Sequence, residues 1–153
     1  MNADTSSDLY HLIAEQMGDA LIYADRDGVI REWNAGAEAL FGFAKAEAVG
    51  QSVELIIPER LRAAHWAGFD RAIQSGATKF GRRALLTRSM NRAGETIYVE
   101  MTFAVVADGG RVLGSVAIAR DGARRRDDER RLRECEAALS VSRTPQEPAQ
   151  PND

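Results

Sequence analysis

Residues 96–106 read TIYVEMTFAVV. Ile97, Val99, Met101, Phe103 and Val105 alternate with Thr96, Glu100 and Thr102, the two-residue period of a strand with one buried face. The stretch before it, KFGRRALLTRSM (79–90), reads as another strand ending at the turn NRAGE, and the stretch after it turns at DGG into RVLGSVAIAR (111–120). Three consecutive strands joined by short turns form a meander.

Two more strands lie upstream. ALIYADRDGVIREWN (20–34) divides into Ala20–Ala24 and Val29–Trp33 around Asp27-Gly28, a hairpin signal. Between hairpin and meander, brief helical patterns broken by Gly42 and Gly50 predict several short helices over a sheet. A longer helix opens at Pro58 and stops at Gly76. Ahead of the hairpin, Leu9, Leu12, Ile13, Gln16 and Met17 recur at helical spacing over residues 8–17, with Thr5 and Asp8 in capping-box form. The order predicts an α+β domain with a five-stranded antiparallel sheet and helices on one face. A hollow between the two layers is the expected pocket.

The division that follows is an N-terminal amphipathic helix at 1–17, a domain at 18–121, a charged exit helix at 122–142 and a tail at 143–153. In the exit helix Asp127 to Arg131 and Glu129 to Arg133 are favourable pairs four apart, while Leu132, Cys135 and Leu139 leave a thin apolar seam. The tail holds three of the four prolines and almost nothing apolar, so disorder is expected there.

Composition excludes more than it names. At 153 residues, 44% hydrophobic and 28% charged with a net charge of −3, the chain has the ordinary globular mixture and no field that attracts nucleic acid. The basic run Arg124–Arg126 is followed at once by Asp127, Asp128 and Glu129, which reads as a solvated helix face. Cys135 is the sole cysteine, so neither an internal disulfide nor a thiolate metal cage is available. No secretory signal and no apolar run long enough for a bilayer stands out, so a cytoplasmic location is expected. With two histidines, one cysteine and no phosphate-cradling glycine loop, no catalysis is expected either.

The feature that asks for chemistry is 61-LRAAHWAGF-69. Leu61, His65, Phe69 and Ile73 recur every four residues, joined by Ala72, so His65 sits in the middle of an apolar stripe. His11, on the first helix, reads as solvated.

Four stretches, DRDGVIREWNAGAEALFGF (25–43), VGQSVELIIPE (49–59), NRAGETIYVEMTFAVV (91–106) and RVLGSVAIARD (111–121), resemble a PAS domain, in that family's order and spacing. The resemblance implies the PAS fold and a role in ligand sensing or partner docking, without naming the ligand. The pattern is most similar to haem-binding PAS sensors of oxygen and other gases, which carry an iron-ligating histidine on the helix where His65 falls. The intervals from His65 to Gly76 and from Gly76 to Gly94 match as well. By that likeness His65 would ligate the iron of haem b and a diatomic gas (O2, CO or NO) would be the signal. Phe69 would lie beside the cofactor, Arg71 and Lys79 near the propionates, and Met101 and Phe103 over the gas side. Leu85 stands where the oxygen sensors keep an arginine that bonds bound oxygen, which shifts preference away from O2 unless Arg83 substitutes.

Each of these residues also has a plainer reading. His65 can be a buried histidine bonded to a backbone carbonyl, Phe69 and Ile73 core, Met90 and Met101 packing, and Trp66 a half-buried anchor. Asn34, after Trp33, is expected to cap the helix that follows. The cysteine motif of flavin-binding relatives is absent between residues 34 and 58. Two functional readings stay open: a haem-based gas sensor signalling to a downstream protein, and a haem-free interaction module with a small-molecule or empty pocket. Either way a homodimer through Leu9, Leu12, Ile13 and Met17 is expected, with Leu132 and Leu139 contributing weakly.

Overall fold

The computed structural model describes the backbone of residues 3–143 and the side chains of residues 6–143. The expected disordered tail lies outside these residues, apart from Arg143. The chain divides at Ala123 and Arg124 into two compact units.

In the first unit, helix α1 (Ala3–Gln16) leads into strand β1 (Ala20–Asp25) and strand β2 (Ile30–Trp33). The helix starts ahead of the capping point expected from Thr5 and Asp8, and the side chain of Thr5 lies outside the described residues. The hairpin turns on Asp25, whose Oδ1 accepts from the N–H groups of Asp27 and Val29 at 3.0 and 3.1 Å. Gly28 holds φ 77° there, and a Cβ at that position would stand 2.3 Å from the Trp66 ring. Only glycine satisfies both the left-handed backbone and the missing space.

Short helices α2 (Ala35–Phe41) and α3 (Lys45–Ala48) and a 3-10 turn (Val53–Ile56) follow, then helix α4 (Glu59–Ser75), which stops at Gly76 as its sequence predicts. Asn34 organises the start of α2 more widely than a cap requires. Its Oδ1 accepts from Ala37 N–H at 2.9 Å and from Leu21 N–H at 2.8 Å, while Nδ2 donates to the carbonyls of Ala14 at 2.7 Å and Asp19 at 3.0 Å. One buried amide thus ties α1, β1 and α2 together.

Strands β3 (Leu85–Met90), β4 (Thr96–Asp108) and β5 (Arg111–Asp121) complete the sheet, and helix α5 (Ala123–Ser142) follows. The sheet is antiparallel throughout, in the order β2-β1-β5-β4-β3. One expectation is corrected: β3 begins at Leu85, not near Lys79. Gly81 at φ 58° and the bond from Arg83 N–H to Phe80 carbonyl fold residues 79–84 into a turn. Arg83 therefore stands before the strand and is exposed.

The alternation along β4 is realised, with Val99 and Met101 buried and Thr96 and Ala104 exposed. Trp33, Phe41, Ile30 and Val99 are the largest fully buried side chains, and Ile22, Ala119, Val53 and Ile56 pack around them. Burying side chains of this size contributes about 1.5–3 kcal/mol each before conformational entropy is set against it.

Candidate functional site

Helix α4 carries the candidate site because its inward stripe is interrupted by one polar ring. Phe69 and Ile73 are buried, whereas His65 and Trp66 are half-buried. The three rings form a cluster: His65 stacks on Phe69 with centroids 5.9 Å apart and meets Trp66 edge-on at 5.1 Å. Trp66 and Phe69 are themselves edge to face at 5.5 Å.

The neighbours of His65 are fixed by polar bonds, and His65 is not. Trp66 Nε1 donates to Glu54 Oε1 at 2.6 Å and its ring closes over Gly28. Arg62 Nε donates to the Ile57 carbonyl at 3.1 Å, and its guanidinium lies 3.6 Å from the Glu54 carboxylate. The Nδ1 of His65, in contrast, is buried and has no hydrogen-bond partner among the described residues. Burial pushes the imidazole pKa below its ordinary value, and the carboxylates of Glu54 and Asp70 only partly oppose that. The structure thus places a neutral imidazole with an unpaired buried nitrogen in an aromatic setting, the form in which histidine accepts a proton or ligates a metal.

The sequence-nominated residues fall into two sets. Leu85 and Met101 are direct partners across β3 and β4, so they share a face, and Phe103 lies two residues further along that face opposite Ala117. Met101 is 5% exposed and belongs to the core; Phe103 packs against it and meets the Phe80 ring at 6.5 Å. The three cationic positions, Arg71, Lys79 and Arg83, are exposed, with Lys79 Nζ 5.0 Å above the Phe80 ring. Glu54 and Phe80 are the members that sequence reasoning missed. Phe80 sits in the stretch read as strand, and Glu54 is twelve residues from its indole partner with no local pattern to announce the bond.

Two solvent-open depressions of about 360 Å³ each flank the short helices, one bordered by Glu54, Arg62, Asn91 and Arg92, the other by Leu40, Phe41, Asn91 and Arg92. Neither is lined by His65 or by the seven residues nominated around it. Among the described residues no group of three or more His, Cys, Asp and Glu side chains is placed to hold a metal ion. A bare ion would thus find no such cluster; an iron delivered inside a macrocycle needs one protein nitrogen, and the donor chemistry of His65 fits that need.

This architecture, a five-stranded antiparallel sheet with a histidine-bearing helix against it, defines a small sensory module. The family model described as PAS fold matches residues 8–122, and the chain belongs to the PAS family. A curated relative, an uncharacterized protein of Azorhizobium caulinodans, is 36% identical over 104 residues, covering 67% of this chain and 14% of its own length. Sensor protein FixL of Bradyrhizobium diazoefficiens is 40% identical over 53 residues, covering 35% of this chain and 10% of its own. The chain therefore spans a small fraction of the curated relatives it matches. Among solved structures, the PAS domain of a Colwellia psychrerythraea protein superposes with TM-score 0.65 at 21% identity, covering 76% of this chain and 96% of that one. An RNA-binding light-oxygen-voltage receptor superposes with TM-score 0.75 at 19% identity, covering 95% and 41%. Identities this low carry the fold alone.

Proposed function

We propose that this PAS domain is a sensor whose input group is haem b held by His65, with a diatomic gas as signal and no catalysis of its own. The observation that supports the reading is the buried, unpartnered Nδ1 of an imidazole kept neutral by burial. A buried polar atom without a partner costs roughly 1–3 kcal/mol, a cost that a lone pair donated to iron would remove. Haem, when bound, supplies a gas-binding iron. With haem bound, Phe69, Leu85, Met101 and Phe103 would supply apolar surroundings that exclude water, and the exposed cations Arg71, Lys79 and Arg83 would serve its carboxylates. Leu85 offers bound gas no hydrogen bond, which disfavours O2 relative to CO.

The same proposal includes a homodimer, a downstream signalling partner and a cytoplasmic setting. Leu9, Leu12 and Ile13 are exposed along α1, an apolar stripe suited to a second copy. Among the described residues no helix is long and apolar enough to cross a membrane.

Titration of the purified chain with haemin tests the assignment. A saturable, sharpened Soret band that His65→Ala abolishes, with circular dichroism unchanged, is the expected result. A band of equal strength in the variant overturns it.

A haem-free interaction module is the second reading, and the packing favours it: Phe69 and Met101 are 9% and 5% exposed, so α4 and the sheet must part to admit a macrocycle. Native mass spectrometry separates the two readings, since a dimer with no added mass after reconstitution selects the second.

A further inference from the structure

The five-stranded sheet has two edges, and the fold closes one of them. Along β2 the outer main chain of Ile30 is taken up by the segment after α3. Ile30 N–H donates to the Gln51 carbonyl and Gly50 N–H donates to the Ile30 carbonyl, both at 2.8 Å, and Val29 is bridged to Ser52. Along β3 nothing equivalent occurs. Its six residues pair with β4 on one side, and among the described residues no other group bonds to their main chain. In an antiparallel pair every second residue turns its N–H and C=O away from the neighbouring strand, so β3 presents a row of free donors and acceptors. Ser89 Oγ, which donates to the Ile56 carbonyl at 2.6 Å, holds that strand in place from the buried side.

Charge marks the same edge. From residue 71 to 94 the chain carries six lysines and arginines and no acid, which leaves fourteen cations against twenty-three anions elsewhere. Arg82 and Arg83 stand just before β3 and Arg88 within it; all three are exposed and, among the described residues, enter no ion pair. Arg88 shares the outer face of the sheet with Tyr98, its partner on β4, and its guanidinium stands 5.9 Å over that ring. Leu85 and Thr87 lie on the other face, opposite the buried Met101 and Val99.

We propose that β3 takes up an extended segment of a partner protein as a sixth, antiparallel strand, and that this segment alternates acidic and apolar residues. The acidic set falls beside Arg88 on the outer face, and the apolar set beside Leu85 and Thr87. A second copy of β3 is refused, because in any register it brings cations and no carboxylate. A nucleic-acid strand satisfies the cations but has no peptide groups for the free edge, and its length carries it onto the acidic remainder of the chain. The docking needs neither haem nor a homodimer. It is therefore tested on the haem-free full chain, and its failure leaves the reading of His65 standing.

The probe is the capped peptide Glu-Val-Glu-Val-Glu-Val-Glu carrying fluorescein, followed by fluorescence anisotropy, with the corresponding Lys-Val peptide as control. Saturable binding of the acidic peptide and none of the basic one is expected, and hydrogen exchange should slow at alternate amides of residues 85–90. Arg88→Glu weakens binding about tenfold with circular dichroism unchanged, since an attraction becomes a repulsion. Main-chain pairing is read separately. One acidic peptide is N-methylated at its valine amides and another at its glutamate amides, with identical charge. One set faces β3 and the other faces water, so one peptide loses binding and the other keeps it. Equal effects of the two methylations, or protection that falls outside β3, overturn the added strand. Failure of the acidic peptide to bind, with or without capture of a labelled uridine decamer in its place, overturns it as well.

Discussion

Replacing Asn34 by alanine removes four hydrogen bonds with one substitution, and the structure sets the size of the loss. The cap on α2 goes with the bond from Ala37 N–H, which is worth about 1 kcal/mol at such a position. The Leu21 N–H loses its bond to Oδ1, and a partly buried donor left without a partner costs about 1–3 kcal/mol. The carbonyls of Ala14 and Asp19 lose the Nδ2 donor and with it the tie to α1. The sum is about 2–4 kcal/mol, or a melting temperature lower by about 8–16 °C for a unit of this size. Thermal melts followed by far-ultraviolet circular dichroism read the total, and Asn34→Asp divides it. Aspartate keeps an acceptor for Leu21 and Ala37 but turns an oxygen toward the Ala14 and Asp19 carbonyls. Hydrogen exchange should therefore rise at residues 8–16 while α2 stays protected. A melting temperature within about 2 °C of wild type for Asn34→Ala, or unchanged exchange in α1 for Asn34→Asp, refutes the reasoning.

Two further outcomes follow from the same geometry. Burial lowers the folded-state pKa of His65 below its ordinary 6.5, so between those two values the unfolded chain binds more protons than the folded one. The stability that the neutral ring permits is complete above about pH 6.5 and is lost as pH falls through that window; chemical denaturation of the haem-free protein should show this slope, and His65→Phe should flatten it. Asp25 and Glu47 are held below the ordinary carboxylate range, and they lose stability only in more acid solution and equally in both proteins. At Asp25 burial is outweighed by bonds from Arg31 and the Val29 and Asp27 N–H groups; at Glu47 the bonds come from Ala44 N–H and Arg92. Gly28→Ala should cost about 2–3 kcal/mol, from the left-handed backbone and the collision with Trp66; in a Trp66→Ala background the further cost should fall to the backbone part alone, and equal costs in both backgrounds would remove the contact from the account.

What could be read from the sequence was whatever local chemistry controls. The period of Ile97 to Val105, the Asp27-Gly28 turn, and Pro58 and Gly76 at the ends of α4 each act within a few residues, and the sheet and helices appear where they predict. Arg83 was misplaced because the positive φ of Gly81 bends the chain where hydrophobic pattern suggests continuity. Asn34 was legible as a cap, three residues from Ala37, but not as a junction, because Leu21, Ala14 and Asp19 lie 13 to 20 residues away. His65 was legible as a polar break in an apolar stripe. That its Nδ1 is left unpaired was not, since the absence of a partner is a property of every element packed around it.

The anchoring of α4 gives that unpaired nitrogen its meaning. Arg62 is bonded to the Ile57 carbonyl, Trp66 is bonded to Glu54 and wedged over Gly28, and Phe69 and Ile73 are buried. These anchors lie on both sides of His65, whose ring adds only aromatic contacts with Trp66 and Phe69. An apolar residue in its place would satisfy the stripe, keep the stacking on Phe69 and leave no polar atom unpaired, so packing alone gives no reason for histidine there. The ring is thus not among the polar groups that anchor α4, and its burial lowers the stability of the fold in acid.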